Sequence, residues 1–289
     1  MNDFLISFPQ AWQFNIGDSI DTTVRTFSRS NRETLSAIKS VVISWIGSIN
    51  TLLTFIPWWV LILIVGLLGW KISGKKRTGV LFSAMLFFVG SCGLWVHMLE
   101  TLSIVIASVI LSLALGFPIG ILIAMNRRAE SIIRPILDLM QTMPAFVYLV
   151  PAIILFSTGK TPALMATTIY SIVPMIRMTS HGITHVDTEV VEAAKAFGST
   201  SMQSLVKVQI PQAISTIMTG VNQTIMMAMS MVVTCALIGA NGLGMEILIA
   251  TNRTEVGKSL MPGVSIVVVA IILDRLTQGL IRKKEVQQA

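Results

Sequence analysis

The chain has 289 residues, 53% hydrophobic and only 12% charged, with a net charge of +7 and a mean hydropathy of +0.77. Soluble domains carry about 25% charged residues, so this composition excludes a disordered chain and weighs against a soluble enzyme. The basic residues sit between long uncharged runs, which makes membrane topology a better account of the charge than nucleic-acid binding.

The first 30 residues carry Asp18, Asp21, Arg25 and Arg29 and lack the apolar core of a cleavable signal peptide. From about Glu33 to Ile56 the apolar residues Leu35, Ile38, Val42, Trp45, Ile49, Leu52 and Ile56 recur at helical spacing. Polar Ser36, Lys39, Ser40, Ser44, Ser48 and Asn50 fall largely elsewhere. This pattern predicts a helix lying in the interface plane, with an eighth crossing as the alternative. The chain thus divides into a tail with an amphipathic helix, 1–56, and a membrane domain, 57–289.

Val41 to Trp70 is too long for one crossing and contains Pro57, which suits a first helical turn and disrupts a helix interior. A crossing therefore begins at Pro57, with Trp58 and Trp59 at the aromatic interface. Crossings need about 20 apolar residues. Seven are expected, at 57–72, 78–97, 101–125, 135–158, 161–179, 211–239 and 259–281. Cys92 and Cys235 lie in apolar runs and read as small hydrophobes rather than a disulfide pair. Gly239, Gly242 and Gly244 lack dinucleotide-binding spacing and read as a turn at the end of a crossing.

Lysine and arginine counts set the orientation. One set of connectors holds Lys71, Lys75, Lys76, Arg77, Arg127, Arg128, Arg134, Arg177, Lys195 and Lys207, and the C-terminal tail adds Arg282, Lys283 and Lys284. The alternate connectors hold only Lys160, Arg253 and Lys258. The imbalance predicts a cytoplasmic C-terminus and, with seven crossings, an external N-terminus. Arg25, Arg29, Arg32 and Lys39 mildly disagree. The expected location is the plasma membrane of a prokaryote.

Gly159-Lys160-Thr161 resembles the end of a phosphate-binding loop, but position 154 is Ile154 where that loop requires glycine. His181 and His185, four apart, with Glu189 one turn on, could share a helix face and bind a metal, but a solvated cytoplasmic helix face is the expected reading. No catalytic triad or carboxylate pair stands out, and no metal or cofactor is expected on this chain. Uphill transport would need an ion gradient or a partner.

The segment after Arg177 reads Val190-Val191-Glu192-Ala193-Ala194-Lys195-Ala196-Phe197-Gly198, then Ser199-Thr200, a second short helix, and Ile210-Pro211 opening the next crossing. Ala193, Ala194 and Gly198 have little bulk, so another surface can approach; Ser199 or Thr200 can cap the following helix. An ordinary helical hairpin satisfies the same pattern. Glu192, Ala193, Ala194, Gly198, Ile210 and Pro211 together resemble the cytoplasmic signature of ABC-importer permeases, with Ile210 in place of the usual leucine. Leu137 to Tyr148, Gly220 to Met227 and Ile272 to Thr277 look like the osmoprotectant branch. The resemblance covers roughly residues 57–281.

That resemblance implies an all-α polytopic bundle with the type I importer permease fold. It implies two permease copies around one path and two ATP-binding subunits, which carry ATP and Mg and dock on the loop of about 180–210. It further implies an external receptor that delivers glycine betaine, proline or a related osmolyte. All six tryptophans, Trp12, Trp45, Trp58, Trp59, Trp70 and Trp95, precede most of the matching region. Aromatic cages hold quaternary ammonium groups best, so selectivity is expected to fall to the receptor. Candidates for the path are Asp138, Gln141, Thr142, Asn222, Gln223 and Thr224, with Met226 and Met229. Interhelical hydrogen bonding and core filling are their alternative roles. Asp274 and Arg275 cannot face lipid cheaply and are expected in an interhelical or interfacial ion pair. The alternative function is an ion-coupled secondary transporter, for which Asp138 and Asp274 are the only acidic relay candidates.

Overall fold

The computed structural model describes residues 16–288, with side chains described from 17 to 279. Residues 1–15, including Trp12, and the side chains of Arg282, Lys283 and Lys284 lie outside the described residues. Described secondary structure is helical throughout. The helices are α1 (Ile16–Ser30), α2 (Arg32–Phe55), α3 (Trp58–Ser73), α4 (Lys76–Ser91), α5 (Trp95–Met125) and α6 (Arg127–Thr142). They continue with α7 (Leu149–Phe156), α8 (Lys160–Thr184), α9 (Thr188–Ala196), α10 (Ile214–Thr234), α11 (Leu243–Asn252) and α12 (Val256–Gln288).

Local chemistry sets most of the breaks. Ile56 is extended before Pro57, as steric conflict with the proline ring requires, and α2 stops there. Gly74 (φ +70°) closes α3 by donating its N–H to the Trp70 carbonyl. Gly93 (φ +74°) turns the chain between α4 and α5. The expected break at 98–100 therefore lies earlier, and α5 runs 31 residues, about 46 Å at 1.5 Å per residue. The Asn126 side chain accepts the Arg128 and Ala129 amides and starts α6.

The expected single crossing 135–158 is broken. α6 and the segment Ala145–Phe156 meet at 112°. Pro144 is the cause: it lacks an N–H, and Met143 before it is extended (ψ 133°). A short 3₁₀ turn, Ala145–Tyr148, leads into α7.

Two ends of the bundle can be defined. At the upper end the Gly159 amide donates to the Ile238 carbonyl (2.9 Å), the Leu243 amide to Thr101 Oγ1 (2.9 Å), and Cys92 Sγ lies 4.0 Å from Met261 Sδ. At the lower end Gly279 of α12 abuts Ile72 of α3. α3 and α4 are antiparallel, with Ser83 Oγ donating to the Ile62 carbonyl (3.4 Å), so Trp58 belongs to the upper end. α1 docks on α7 there, Ser28 Oγ donating to the Ile154 carbonyl (3.2 Å). Both ends of α2 are thereby brought to the upper end, with Val42 and Ile46 buried against the core.

By length and apolarity, four described helical segments suit a membrane crossing: Arg32–Phe55, Trp95–Met125, Ile214–Ile238 and Val256–Gly279. The bent pair makes a fifth. α8 is 25 residues long and central but too polar for that criterion, because Thr161, Thr167, Thr168, Ser171 and Thr179 are all buried inside the protein. The expected connector 240–258 contains a helix, α11, which the short apolar run Leu243 to Ala250 did not announce.

The core is α8 with α5 on one side and α10 on the other. Small residues permit the approach. A Cβ on Gly120 would stand 2.6 Å from Thr179 Cβ and 2.8 Å from the Ile176 carbonyl oxygen. One on Gly220 would stand 2.7 Å from Met178 Cβ. Ser112 Oγ and Ser171 Oγ, 2.9 Å apart, bridge α5 and α8 inside the protein.

Candidate functional site: a lower-end hairpin and dispersed polar residues

α8 delivers the chain to the lower end, where residues 185–213 form a hairpin. Asp187 caps α9 by accepting the Glu189 amide (2.9 Å). α9 ends in two overlapping bonds, Gly198 N–H to the Lys195 carbonyl (2.9 Å) and Ser199 N–H to the Ala194 carbonyl (3.1 Å). This is the Schellman arrangement, and it requires the left-handed backbone seen at Gly198 (φ +81°). Thr200, of the two capping candidates, opens the next turn through a capping box with Gln203. Ser199 Oγ instead donates to the Ala194 carbonyl (2.6 Å).

Pro211 shapes the return. Without an N–H it cannot donate to the Lys207 carbonyl, and the ladder widens to a π-turn over Leu205–Gln209, closed by Ile210 N–H to the Leu205 carbonyl. Ile210 is half-buried against the cluster of Met175, Ile183, Val186, Leu205, Ala213 and Ile217, and so anchors the hairpin to the bundle. Glu192, Ala193, Gly198 and Pro211 are exposed, and Ala194 is half-buried. Phe197, not singled out from sequence, is 94% exposed, with Val190, Met202 and Val206 also exposed nearby in the chain. These are large apolar side chains left open to the surroundings on one hairpin.

The polar candidates separate into groups. Asp138 on α6 forms an ion pair with Arg177 on α8, a partner that sequence reasoning had assigned only to a charged connector. Asn222 on α10 donates Nδ2 to Asp274 Oδ1 on α12 (2.8 Å), and Gln278 donates to the same oxygen (2.8 Å). Asp274 is thus held by two amides. Arg275, one residue on and so rotated about 100° around the helix, is exposed and makes no ion pair with it. Thr224 is fully buried, its Oγ1 without a partner, and Met229 is buried in the main core. Gln141, Thr142, Gln223 and Met226 are exposed. The structure therefore does not gather the eight candidates into one lane.

His181 and His185 stack with ring centroids 3.9 Å apart, and His185 Nδ1 lies 2.9 Å from the His181 carbonyl oxygen. Lys160 lies 3.7 Å from Glu100 Oε1, in an upper-end cluster where His97 also approaches Glu100 and Glu246.

Comparison with known proteins then bears on this arrangement. Residues 116–286 match the family described as "Binding-protein-dependent transport system inner membrane component", more than half the chain. The chain belongs to that family. The matched range runs from Gly116, in the last third of α5, through α8, the entire hairpin and α10 into α12. Similar proteins include the glycine betaine transport system permease protein OpuAB of Bacillus subtilis, 43% identical over 93% of this chain and 95% of that protein. The glycine betaine/carnitine transport permease protein GbuB of Listeria monocytogenes is 45% identical over 78% of this chain and 81% of that one. The glycine betaine/proline betaine transport system permease protein ProW of Escherichia coli is 40% identical over 91% and 73% respectively. Inward-facing structures of the MetNI methionine ABC transporter share the fold, at a TM-score of 0.57 and 21% identity over 64% of this chain and 93% of that chain. The chain is a multi-pass membrane permease of the ABC-importer kind.

Proposed function

We propose that this permease carries glycine betaine or a closely related quaternary-amine or proline osmolyte inward, driven by ATP hydrolysed on partner subunits. Substrate class is supported by the relatives above, which cover between 78% and 93% of the chain. Two copies would enclose the path. Two ATP-binding subunits, holding ATP and Mg, would dock on the hairpin, and an external receptor would deliver substrate to the upper end.

The observation that supports the docking assignment is the α9–Gly198 corner, where Phe197 is almost fully exposed beside a glycine held at φ +81°. Charge in the connectors supports the orientation, since thirteen basic residues belong to the lower-end connectors and the tail and three to the upper-end connectors, although Arg25, Arg29, Arg32 and Lys39 of α1 and α2 count the other way. The hairpin is then cytoplasmic, and α1 and α2 are external, with α2 in the interface plane. The fixed carboxylates fit this reading better than ion-coupled transport: Asp138 pairs with an arginine and Asp274 with two amides, leaving neither as a ready proton or sodium relay.

The direct test is uptake of radiolabelled glycine betaine into vesicles holding the permease, its ATPase and its receptor. Uptake should require all three and ATP. Uptake sustained by an ion gradient without the ATPase would refute the reading. For orientation, a cysteine at Thr200 should be labelled only from the cytoplasm and one at Asn252 only from outside.

A further inference from the structure

α10 packs on α8, α5 and α12 and still keeps one open face. Along Ile214–Thr234 the exposed residues are Thr219, Gln223, Met226 and Ser230. At about 100° per residue these four fall within an arc of about 60°. Three of them are polar. The Thr219 hydroxyl donates to the Ser215 carbonyl (3.1 Å). Gln223 and Ser230 have no side-chain partner among the described residues. Gln223 stands near the middle of this 21-residue helix, and so near the middle of the bilayer. A free primary amide at that depth is costly against lipid, and intramembrane polar groups face protein or a water-filled space. The neighbouring crossings differ. Open side chains on α5 are Ile110, Leu115 and Leu122, and on α12 Val264, Val267 and Ile271, all of which lipid accommodates.

Resting on the two-copy reading above, we propose that this face of α10 is where one permease copy meets the other, with Gln223 opposite Gln223 of the second copy. The chemistry selects a self-complementary partner. A carboxamide both donates and accepts, so two of them related by a two-fold axis can exchange a pair of N–H···O bonds and satisfy each other. Interhelical amide contacts of this kind hold helices together in membranes, where apolar surface gives no preference for protein over lipid. Met226, one turn on, is flexible enough to fill the irregular space beside the amide pair. Asn222, one residue back, is turned toward α12 and spent on Asp274, so the two adjacent amides divide the work: one fastens the protomer and the other the pair.

The test is disulfide formation between copies in the full complex with ATPase and receptor, reconstituted in lipid vesicles, in a background of Cys92→Ala and Cys235→Ala that still takes up substrate. Single cysteines are introduced by Gln223→Cys, Met226→Cys, Leu115→Cys and Val267→Cys and oxidised with copper phenanthroline. A disulfide needs Cα atoms within about 7 Å, so yield reads proximity. Gln223→Cys should give covalent permease dimers in high yield and Met226→Cys in several-fold lower yield, while Leu115→Cys and Val267→Cys should give none. No dimer from either Gln223→Cys or Met226→Cys would overturn the proposal, whether the thiol reacts with a water-soluble maleimide, as on a solvated wall, or resists it, as against lipid. Dimers formed equally well from Leu115→Cys or Val267→Cys would overturn it too. Native mass spectrometry of the intact complex separates the two readings: two permease copies without the Gln223→Cys link remove only this contact, and a single copy removes the two-copy reading.

Discussion

Gly120 and Gly198 stand in the same chain for opposite reasons. At Gly120 the backbone is helical and a side chain has no room, since an added Cβ would meet Thr179 and the Ile176 carbonyl. At Gly198 nothing lies within 4 Å of an added Cβ, but φ is +81°, where L side chains are strained. The first glycine serves packing of α5 on α8. The second serves a cap and leaves space outside the protomer for something else to fill. A glycine kept for close packing and one kept for a positive φ are thus told apart by whether the space beside them is occupied.

Substitutions should separate the two regions, beginning with the largest effect. Gly120→Leu should abolish the folded permease, because overpacking against a backbone carbonyl exceeds the ordinary cost of about 1–3 kcal/mol. Loss of the monodisperse peak in detergent chromatography checks it. Gly198→Leu should abolish transport while the membrane domain still folds, because the strain of about 1–3 kcal/mol falls on an exposed corner and the added carbons project toward the docking partner. A normal chromatographic profile with no uptake is the expected result; lost folding would merge the two glycines into one class.

Phe197→Ala sharpens the same contrast. The side chain touches little within the protomer, so thermal stability should stay within about 0.5 kcal/mol of wild type. Truncating a central aromatic anchor of an interface typically costs about 2 kcal/mol or more, so co-purified ATPase should fall at least several-fold. Asn222→Leu probes the interior instead. It removes one of the two amides on Asp274 and should lower stability by about 1–3 kcal/mol, read as a lower melting temperature with ATPase retention unchanged. The smallest effect belongs to Thr200→Ala, which deletes a cap worth about 1 kcal/mol and should show as faster amide exchange confined to the hairpin.

These regions also differ in how far they could be read from sequence. The hairpin was legible because its devices are local: Gly198, Thr200 and Pro211 each act on backbone within five residues. Pro57 was legible for the same reason. Pro144 acts by the same physics but stands inside an apolar run of ordinary length, and length concealed the break. Gly93, rather than the polar pair His97 and Glu100, separates α4 from α5, because His97 and Glu100 find partners at the upper end and stay helical. Burial in the protein also hides polarity, as the threonines of α8 show. The polar candidates were the least legible. Whether Asn222 meets substrate or Asp274 depends on the rotation of α10 against α12, and whether Asp138 has a cation depends on Arg177, 39 residues away in sequence. Neither quantity is encoded in spacing.

The central claim is that the Phe197–Gly198 corner is the contact with the ATPase. Cross-linking from a single cysteine tests it most directly, with Cys92 and Cys235 replaced and Phe197→Cys introduced into the full complex with ATPase and receptor. A short bifunctional reagent should join this position to the ATP-binding subunit in high yield and never to the receptor, with the yield changing when ATP and receptor–ligand are added. Cross-linking to the receptor, or none to the ATPase in a complex that still transports, would contradict the account.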